Sequence, residues 1–228
     1  MSTERTEFRD FSIQVLEHLA RIGKAIGHPG RLGLLENLTL SERSVEELAT
    51  MTGLSVANTS QHLQHLKQAG LLTSRKSGLH VFYRASGEDV ARLTTIIRAV
   101  GERHLADVQQ LVHGFLDSKD DLEAIPSEEL IERLADQSVT LIDVRPEKEF
   151  ASGHIDGAIN IPMDQLLKQL NEIPSDTEVV AYCRGPHCIL AFEAVTLLRE
   201  QGLHARRLQE GYLPWAVAGH PTATDTPL

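Results

Sequence analysis

The run Cys183-Arg184-Gly185-Pro186-His187-Cys188 holds the two cysteines of a 228-residue chain. A thiolate is a strong nucleophile and the parent thiol a poor one, so chemistry here needs a lowered pKa at one sulfur and a second sulfur within reach. The flanks suit both needs. Glu178–Tyr182 is a short apolar run that reads as a strand and delivers Cys183 at its end. Ile189–Gln201 reads as a helix closed by Gly202, so the positive end of its dipole faces the thiol, and Arg184 adds a cation beside it. Cys183 is thus the candidate catalytic nucleophile and Cys188 its resolving partner, while Arg184, Gly185, Pro186 and His187 form a loop suited to an anionic sulfur donor. Attack by one thiolate on a persulfide at the other gives a disulfide or polysulfide bridge, which is the chemistry of a redox sensor. Plainer alternatives stand beside this. Cys188 can pack under the following helix as a small apolar residue, His187 can sit on the loop surface, and the three Cys and His side chains are also soft-metal donors.

The elements that must position this loop alternate between strand and helix. Val139–Val144 and Glu178–Tyr182 have the unbroken apolar texture of buried parallel strands, and Ala205–Leu208 reads as a third. Ser127 begins a helix carrying Glu129 and Leu130, and Leu166–Leu170 reads as helical. Such alternation predicts a parallel α/β sheet, whose ligand sites lie beyond the C-terminal ends of the strands, where Cys183 falls. The motifs L-I-D-V-R at 141–145, E-F-x-x-G-H-I-x-G-A-I-N-I-P at 149–162, Y-C at 182–183 and E-G-x-x-x-W at 210–215 resemble those of a single rhodanese domain over about residues 122–222. The resemblance implies that Cys183 accepts a sulfur atom as a persulfide. Asp143 and Arg145 match motif positions and are read as structural, with an Arg145–Glu149 pair bracing the loop. The loop departs from the family pattern: glycine comes one position early, Pro186 stands where glycine is common, and Cys188 where arginine or serine is common. Proline has no N–H, so one donor of the anion cradle is missing, which argues against fast thiosulfate turnover.

The first half has a different texture. Phe8, Phe11, Val15, Leu16, Leu19 and Ile22 recur at helical spacing, and a second helix with Leu32, Leu34 and Leu35 follows the His28-Pro29-Gly30 break. Ser44-Val45-Glu46-Glu47 has the form of a capping box. Gly53 then supplies a turn, Ser55 can cap a helix from Val56 to Ala69, and Gly70 ends it. Leu72–Arg75 and Leu79–Arg84 read as strands around a Lys76-Ser77-Gly78 turn. A last helix is predicted from Asp89 to Phe115; its 27 or so residues would span roughly 40 Å, too long for so small a domain to cover. Two helices joined by a tight turn and followed by a hairpin make a winged helix-turn-helix. The run SVEELATMTGLSVANTSQHLQHLKQAGLLTSRKSGLHVFYR closely resembles the ArsR-type repressors, over about residues 10–115. This implies a homodimer on an inverted-repeat operator in double-stranded DNA, with the second helix in the major groove and the wing near the backbone. Val56, Leu63 and Leu66 are expected in the core. The candidate DNA-binding set is Ser55, Asn58, Ser60, Gln61, His62 and Gln64, with His65 on the same exposed side. Arg75 and Lys76 on the wing would neutralise phosphates. Many relatives sense thiophilic metals through a Cys-x-Cys before the recognition helix, but Ser44–Leu48 has no cysteine. Glu102, His104, Asp107 and His113 offer zinc donors on the last helix, although histidines on a polar helix face are ordinarily solvated. The reading therefore assigns no metal and no cofactor.

The charge is unevenly divided. The chain carries −10, yet residues 1–118 hold 13 Lys and Arg against 13 Asp and Glu, while residues 119–228 hold 9 against 19. An acidic total therefore does not exclude DNA, because the acidity belongs to one half. With 41% apolar residues the chain can bury cores. No run approaches the roughly 20 apolar residues of a membrane span, and the polar start MSTERTEFRDF lacks a signal-peptide core, so a cytoplasmic protein with no membrane partner is expected. The expected organisation is a mainly α winged helix-turn-helix DNA-binding and dimerisation domain (1–116), a linker (117–123) and a rhodanese-like α/β domain with a parallel sheet (124–228). The expected function is a homodimeric transcriptional regulator that takes up reactive sulfur at Cys183 with Cys188, from a small sulfane-sulfur donor. Its rivals are a sulfurtransferase that passes sulfur to a thiol acceptor, and a thiophilic metal or metalloid sensor.

Overall fold

The computed structural model describes residues 2–112, 114, 124–174 and 177–225, with side chains from residue 7. The expected linker at 117–123, and with it His113 and Phe115, lies outside the described residues. The chain forms two compact units, Met1–Thr94 and Thr95–Leu228. The division falls inside a helix, not at a change of composition.

The first unit opens with α1 (Ser2–Ile26) and α2 (Pro29–Leu38). His28 caps α2, its Nδ1 accepting from the Gly30 N–H at 3.0 Å, and Pro29 takes the first turn, where a missing N–H costs nothing. A two-residue strand, β1 (Arg43–Ser44), runs into α3 (Val45–Thr52), where the capping box forms as expected: the Glu47 N–H donates to Ser44 Oγ and the Ser44 N–H to the Glu47 carboxylate. Gly53, at φ +68°, makes the turn into α4 (Val56–Gln68), capped by Ser55. The hairpin β2 (Leu72–Ser77) and β3 (His80–Ala85) pairs antiparallel, with β1 on the outer side of β3. Its turn lies two residues later than expected, so Lys76 belongs to a strand: Gly78, at φ +60°, can take the left-handed position, and Ser77 pairs with His80. Leu34, Leu35, Leu38, Leu48, Leu63, Leu66, Leu72 and Tyr83 form the core.

The expected helix Asp89–Phe115 is not continuous. It is α5 (Glu88–His104), then α6 (Ala106–Val112), with Leu105 between. The Leu105 N–H still donates to Gly101 O, but Val108 N–H donates to Leu105 O, so a new helix starts there. Gly101 weakens the last turn by about 1 kcal/mol relative to alanine. A one-residue break barely shifts the apolar phase, which is why periodicity runs through it. At 17 residues, α5 is about 25 Å long.

The second unit holds α7 (Ser127–Ala135), β4 (Val139–Asp143), α8 (Glu147–Ser152), β5 (His154–Ile155), β6 (Ile159–Asn160), β7 (Glu178–Tyr182), α9 (Ile189–Glu200), β8 (Ala205–Arg207), α10 (Tyr212–Val217) and β9 (Thr222–Ala223). The main sheet has the order β6-β4-β7-β8, all parallel, and β5 pairs with β9. Central strands are buried on both faces. Val139, Leu141, Val180 and Tyr182 enter one core with Trp215. Ile142, Val144, Val179, Ala181 and Cys183 enter the other, beneath α9. This two-residue alternation, read from β7, turns Cys183 toward α9. The segment Leu166–Leu170 is not the helix expected: it is a series of turns ending in a 3-10 turn at Leu170–Glu172. Leu166 and Leu170 still pack on the core, so their spacing reflects burial and not a helix.

Candidate functional site

Strand β7 and helix α9 enclose the loop 183–188. Cys183 is 1% exposed and Cys188 half-buried, and the two form a disulfide with their Cα atoms 6.0 Å apart. Cys188 is the residue before the first turn of α9, and its N–H donates to Gly185 O at 3.1 Å, closing the loop on itself. From beneath, the start of α10 holds the loop: the Tyr212 N–H donates to Cys183 O and the Leu213 N–H to Arg184 O, both at 2.9 Å. Gly211 makes that approach possible. It sits at φ +74°, and a Cβ there would lie 2.7 Å from Gly185 Cα and 2.9 Å from Cys183 O. The E-G-x-x-x-W motif exposed this glycine in the sequence but not its task.

The ionic partners differ from those expected. Arg145 does not pair with Glu149. Its Nε and Nη2 fork onto Asp143, at 3.0 and 2.6 Å, and Nη2 also donates to Gly153 O at 2.8 Å, with both residues fully buried. Glu149 instead accepts from Arg184, Nε at 2.8 Å and Nη2 at 2.6 Å. Side-chain reach explains the exchange. Asp143 lies two residues from Arg145 at the strand end, so the guanidinium folds back onto it. Glu149 on α8 is left pointing at the cysteine loop. Burial alone would push Arg145 down, but the hydrogen bond and charge of Asp143, with the charges of Tyr182 and Glu149, raise the pKa overall. The guanidinium lies 4.2 Å from the Tyr212 ring centre, so the Asp143–Arg145 pair underpins the tyrosine whose N–H holds Cys183. Burial is also the main cause that raises the phenol pKa of Tyr182 and Tyr212. The Arg184 cation, expected to assist the thiolate, is thus balanced by a buried carboxylate, while its Nη1 lies 3.9 Å from Cys188 Sγ. Pro186 and Gly185 are half-buried in the loop.

His187 is engaged, not simply at the surface. Within the second unit its Nδ1 lies 2.8 Å from Arg98 Nη1 and its Nε2 3.5 Å from Glu102 Oε1, both on α5. Arginine can only donate, so Nδ1 accepts and Nε2 carries the proton. Nothing in the sequence linked residues 98 and 102 to 187. Among the described residues no cluster of three or more metal-ligating side chains occurs.

The helix-turn-helix places Asn58, Gln61, Gln64 and His65 on the exposed side of α4, with Ser60 half-buried. Leu63 and Leu66 are fully buried as expected. Val56 is not: it is 51% exposed, and Thr59 takes the buried position. Val56 lies two turns before Leu63 on the same stripe, but it is the first residue of α4, beside the Ser55 cap, and is left uncovered there. Two candidates have other engagements. Ser55 Oγ accepts from the Asn58 N–H at 3.2 Å. His62 is half-buried, its ring centre 4.5 Å from that of His28, and burial, followed by the charges of His28, Arg31 and His65, lowers its pKa. On the wing, Arg75 forks onto Glu42, Nε at 2.9 and 3.0 Å, and lies over Phe82, while Lys76 is exposed.

Comparison with known proteins matches each unit. Residues 28–74 match the bacterial regulatory protein, arsR family, and residues 127–218 match the rhodanese-like domain. The HTH-type transcriptional regulator Rv0324 of Mycobacterium tuberculosis is 42% identical over 219 residues, covering 96% of both chains. The protein belongs to the ArsR family of DNA-binding regulators and carries a rhodanese-like domain. A sulfurtransferase of Allochromatium vinosum is 38% identical over 99 residues, covering 42% of this chain and 91% of its own. A homodimeric winged helix-turn-helix fragment from Mycobacterium bovis, solved by NMR, is 41% identical, covers 42% of this chain and 88% of its own, and has a TM-score of 0.39.

Proposed function

We propose that this regulator is a cytoplasmic homodimer that binds an inverted-repeat operator, and that its rhodanese-like domain reports reactive sulfur through Cys183 and Cys188. The observation that carries the reading is the pairing of the two cysteines at the C-terminal end of β7. The Cys183 thiolate attacks the terminal sulfur of a persulfide, RS–SH; that S–S bond breaks, RS⁻ leaves, and Cys183 carries –S–SH. The Cys188 thiolate then attacks the inner sulfur and expels HS⁻, leaving the Cys183–Cys188 disulfide. Two thiols are oxidised and one sulfane sulfur is reduced to hydrosulfide. The internal balance of Arg184 by Glu149, and the missing N–H of Pro186, favour donors of low charge over the thiosulfate dianion. Dimerisation has its own support. Phe8, Phe11, Leu16 and Leu19 on α1, and Ile96 and Val100 on α5, are exposed apolar side chains, and the similar Mycobacterium bovis fragment is homodimeric.

The test treats the full chain with polysulfide and measures two things: the mass of the 183–188 peptide, and affinity for a duplex that the protein selects from random-sequence DNA. A bridged peptide, two hydrogens lighter, with an affinity changed tenfold or more and no change in Cys183→Ser, is the expected result. Affinity indifferent to polysulfide while the bridge forms would overturn it. A second reading, a working sulfurtransferase, is favoured by the Allochromatium vinosum relative. Steady-state turnover with a thiol acceptor, lost in Cys183→Ser while DNA affinity never responds to sulfur, would select it.

A further inference from the structure

We propose that His187 couples the state of the cysteine loop to helix α5, by gripping Arg98 and Glu102 when the bridge is closed and releasing them when it opens. The proposal rests on the reading that the Cys183–Cys188 bridge opens and closes in the working protein.

His187 directly precedes Cys188, so it lies inside the small ring that the disulfide closes. A ring of six residues leaves little freedom, and its closure sets where the imidazole stands. Arg98 and Glu102 are four apart and share one face of α5, and the imidazole meets both, one through each nitrogen. The contact is poised. Glu102 Oε1 is buried and makes no hydrogen bond, while His187 Nε2, the nitrogen that carries the proton, is 3.5 Å away. A buried carboxylate oxygen without a donor costs free energy, so a shift of a few tenths of an ångström in the loop changes how well α5 is held. Helix α5 is an apt receiver. It begins at Glu88, its Val90 packs in the core of the first unit, and the division between units falls after Thr94. Helix α5 runs without a break across that division, from Glu88 to His104. The partner of this device is internal: it is the segment Thr95–His104 of the same chain.

Opening is a defined reaction. A dithiol such as dithiothreitol attacks the bridge; the protein S–S bond breaks, two cysteine thiols form, and the dithiol becomes its own cyclic disulfide. Cys188 is the half-buried member and Cys183 the buried one, so attack at Cys188 Sγ frees Cys183 as the leaving thiolate.

Hydrogen–deuterium exchange on the full chain, compared between bridged and dithiothreitol-reduced protein, tests this without an operator. Peptides within 95–104 should exchange at least threefold more slowly in the bridged form. His187→Ala should still form the bridge, read as the loss of two hydrogens, and lose that difference. Arg98→Gln and Glu102→Gln, which alter only the α5 side, should each reduce it, and they keep the test alive if His187→Ala misfolds. Exchange at 95–104 that is the same in bridged and reduced wild type, or a difference that persists in all three variants, overturns the coupling. A wild-type chain that never forms the bridge overturns the proposed function, and the coupling with it.

Discussion

The recognition surface on α4 and the loop between β7 and α9 draw their support from very different stretches of chain. On α4, Asn58, Gln61 and Gln64 are held by one helix, one cap and the leucines of the same turn pattern, all between Ser55 and Leu66. The cysteine loop stands on Glu149, Gly211, Tyr212 and, through Tyr212, on Arg145 and Asp143. The first surface is local and solvent-facing, as the base reading expected of it requires. The second draws on residues remote in sequence and holds Cys183 buried, as the proposed sulfur chemistry requires. The lesson is that the two surfaces are built separately: substitutions under the loop should change the proposed sulfur chemistry and leave DNA binding by the reduced protein in place.

The largest expected effect comes from Arg145→Met, which leaves Asp143 charged and buried without its cation. It should lower the stability of the second unit by about 3–5 kcal/mol. Calorimetry should show the transition of that unit moving while that of the first unit stays. Equal movement of both would break the contrast. Gly211→Ala is next. The left-handed backbone and the contact with Gly185 should make it cost about 1–3 kcal/mol and slow bridge formation, followed by the mass of the 183–188 peptide, with the DNA affinity of the dithiothreitol-reduced protein changed less than twofold. Gln61→Ala inverts the pattern. If Gln61 makes the bidentate base contact expected of it, its loss should weaken operator binding by about 1–3 kcal/mol in a gel-shift titration while the rate of bridge formation is unchanged. The smallest effect concerns pH. The folded pKa of His62 lies below its unfolded value of 6.5, so its contribution to stability is present above pH 6.5 and is lost as pH falls through the folded pKa. Melting between pH 7.5 and 5.5 should therefore fall more steeply in wild type than in His62→Gln, by about one to three degrees given its partial exposure.

Much of the architecture was legible because it is written in local chemistry. The capping box at Ser44, the left-handed turn at Gly53, the apolar runs of β4 and β7 and the motif-bearing loop all depend on neighbours in the chain. The features in which the structure departs from the sequence expectation share one cause. The continuity of α5 and α6, the helix expected at Leu166–Leu170 and the core position given to Val56 all came from apolar spacing. Spacing reports a buried stripe but not whether a helix breaks or which residue begins it. The exposed glutamines of α4 needed only the phase of one helix.

Residue order by itself determined that this chain has a neutral half built to meet DNA and an acidic half that carries two thiols at the end of a strand. It determined the pairing of Cys183 with Cys188 as a chemical prospect, since five residues of chain cannot hold them far apart. Tertiary structure alone decided what surrounds that pair. Glu149, and not a free charge, neutralises Arg184; Arg145 turns to Asp143; Gly211 admits the loop; and Arg98 and Glu102 meet His187. The physical reason is that ion pairs and close backbone approaches are chosen by distance in space, which the packing of sheet and helices sets, and not by separation along the chain.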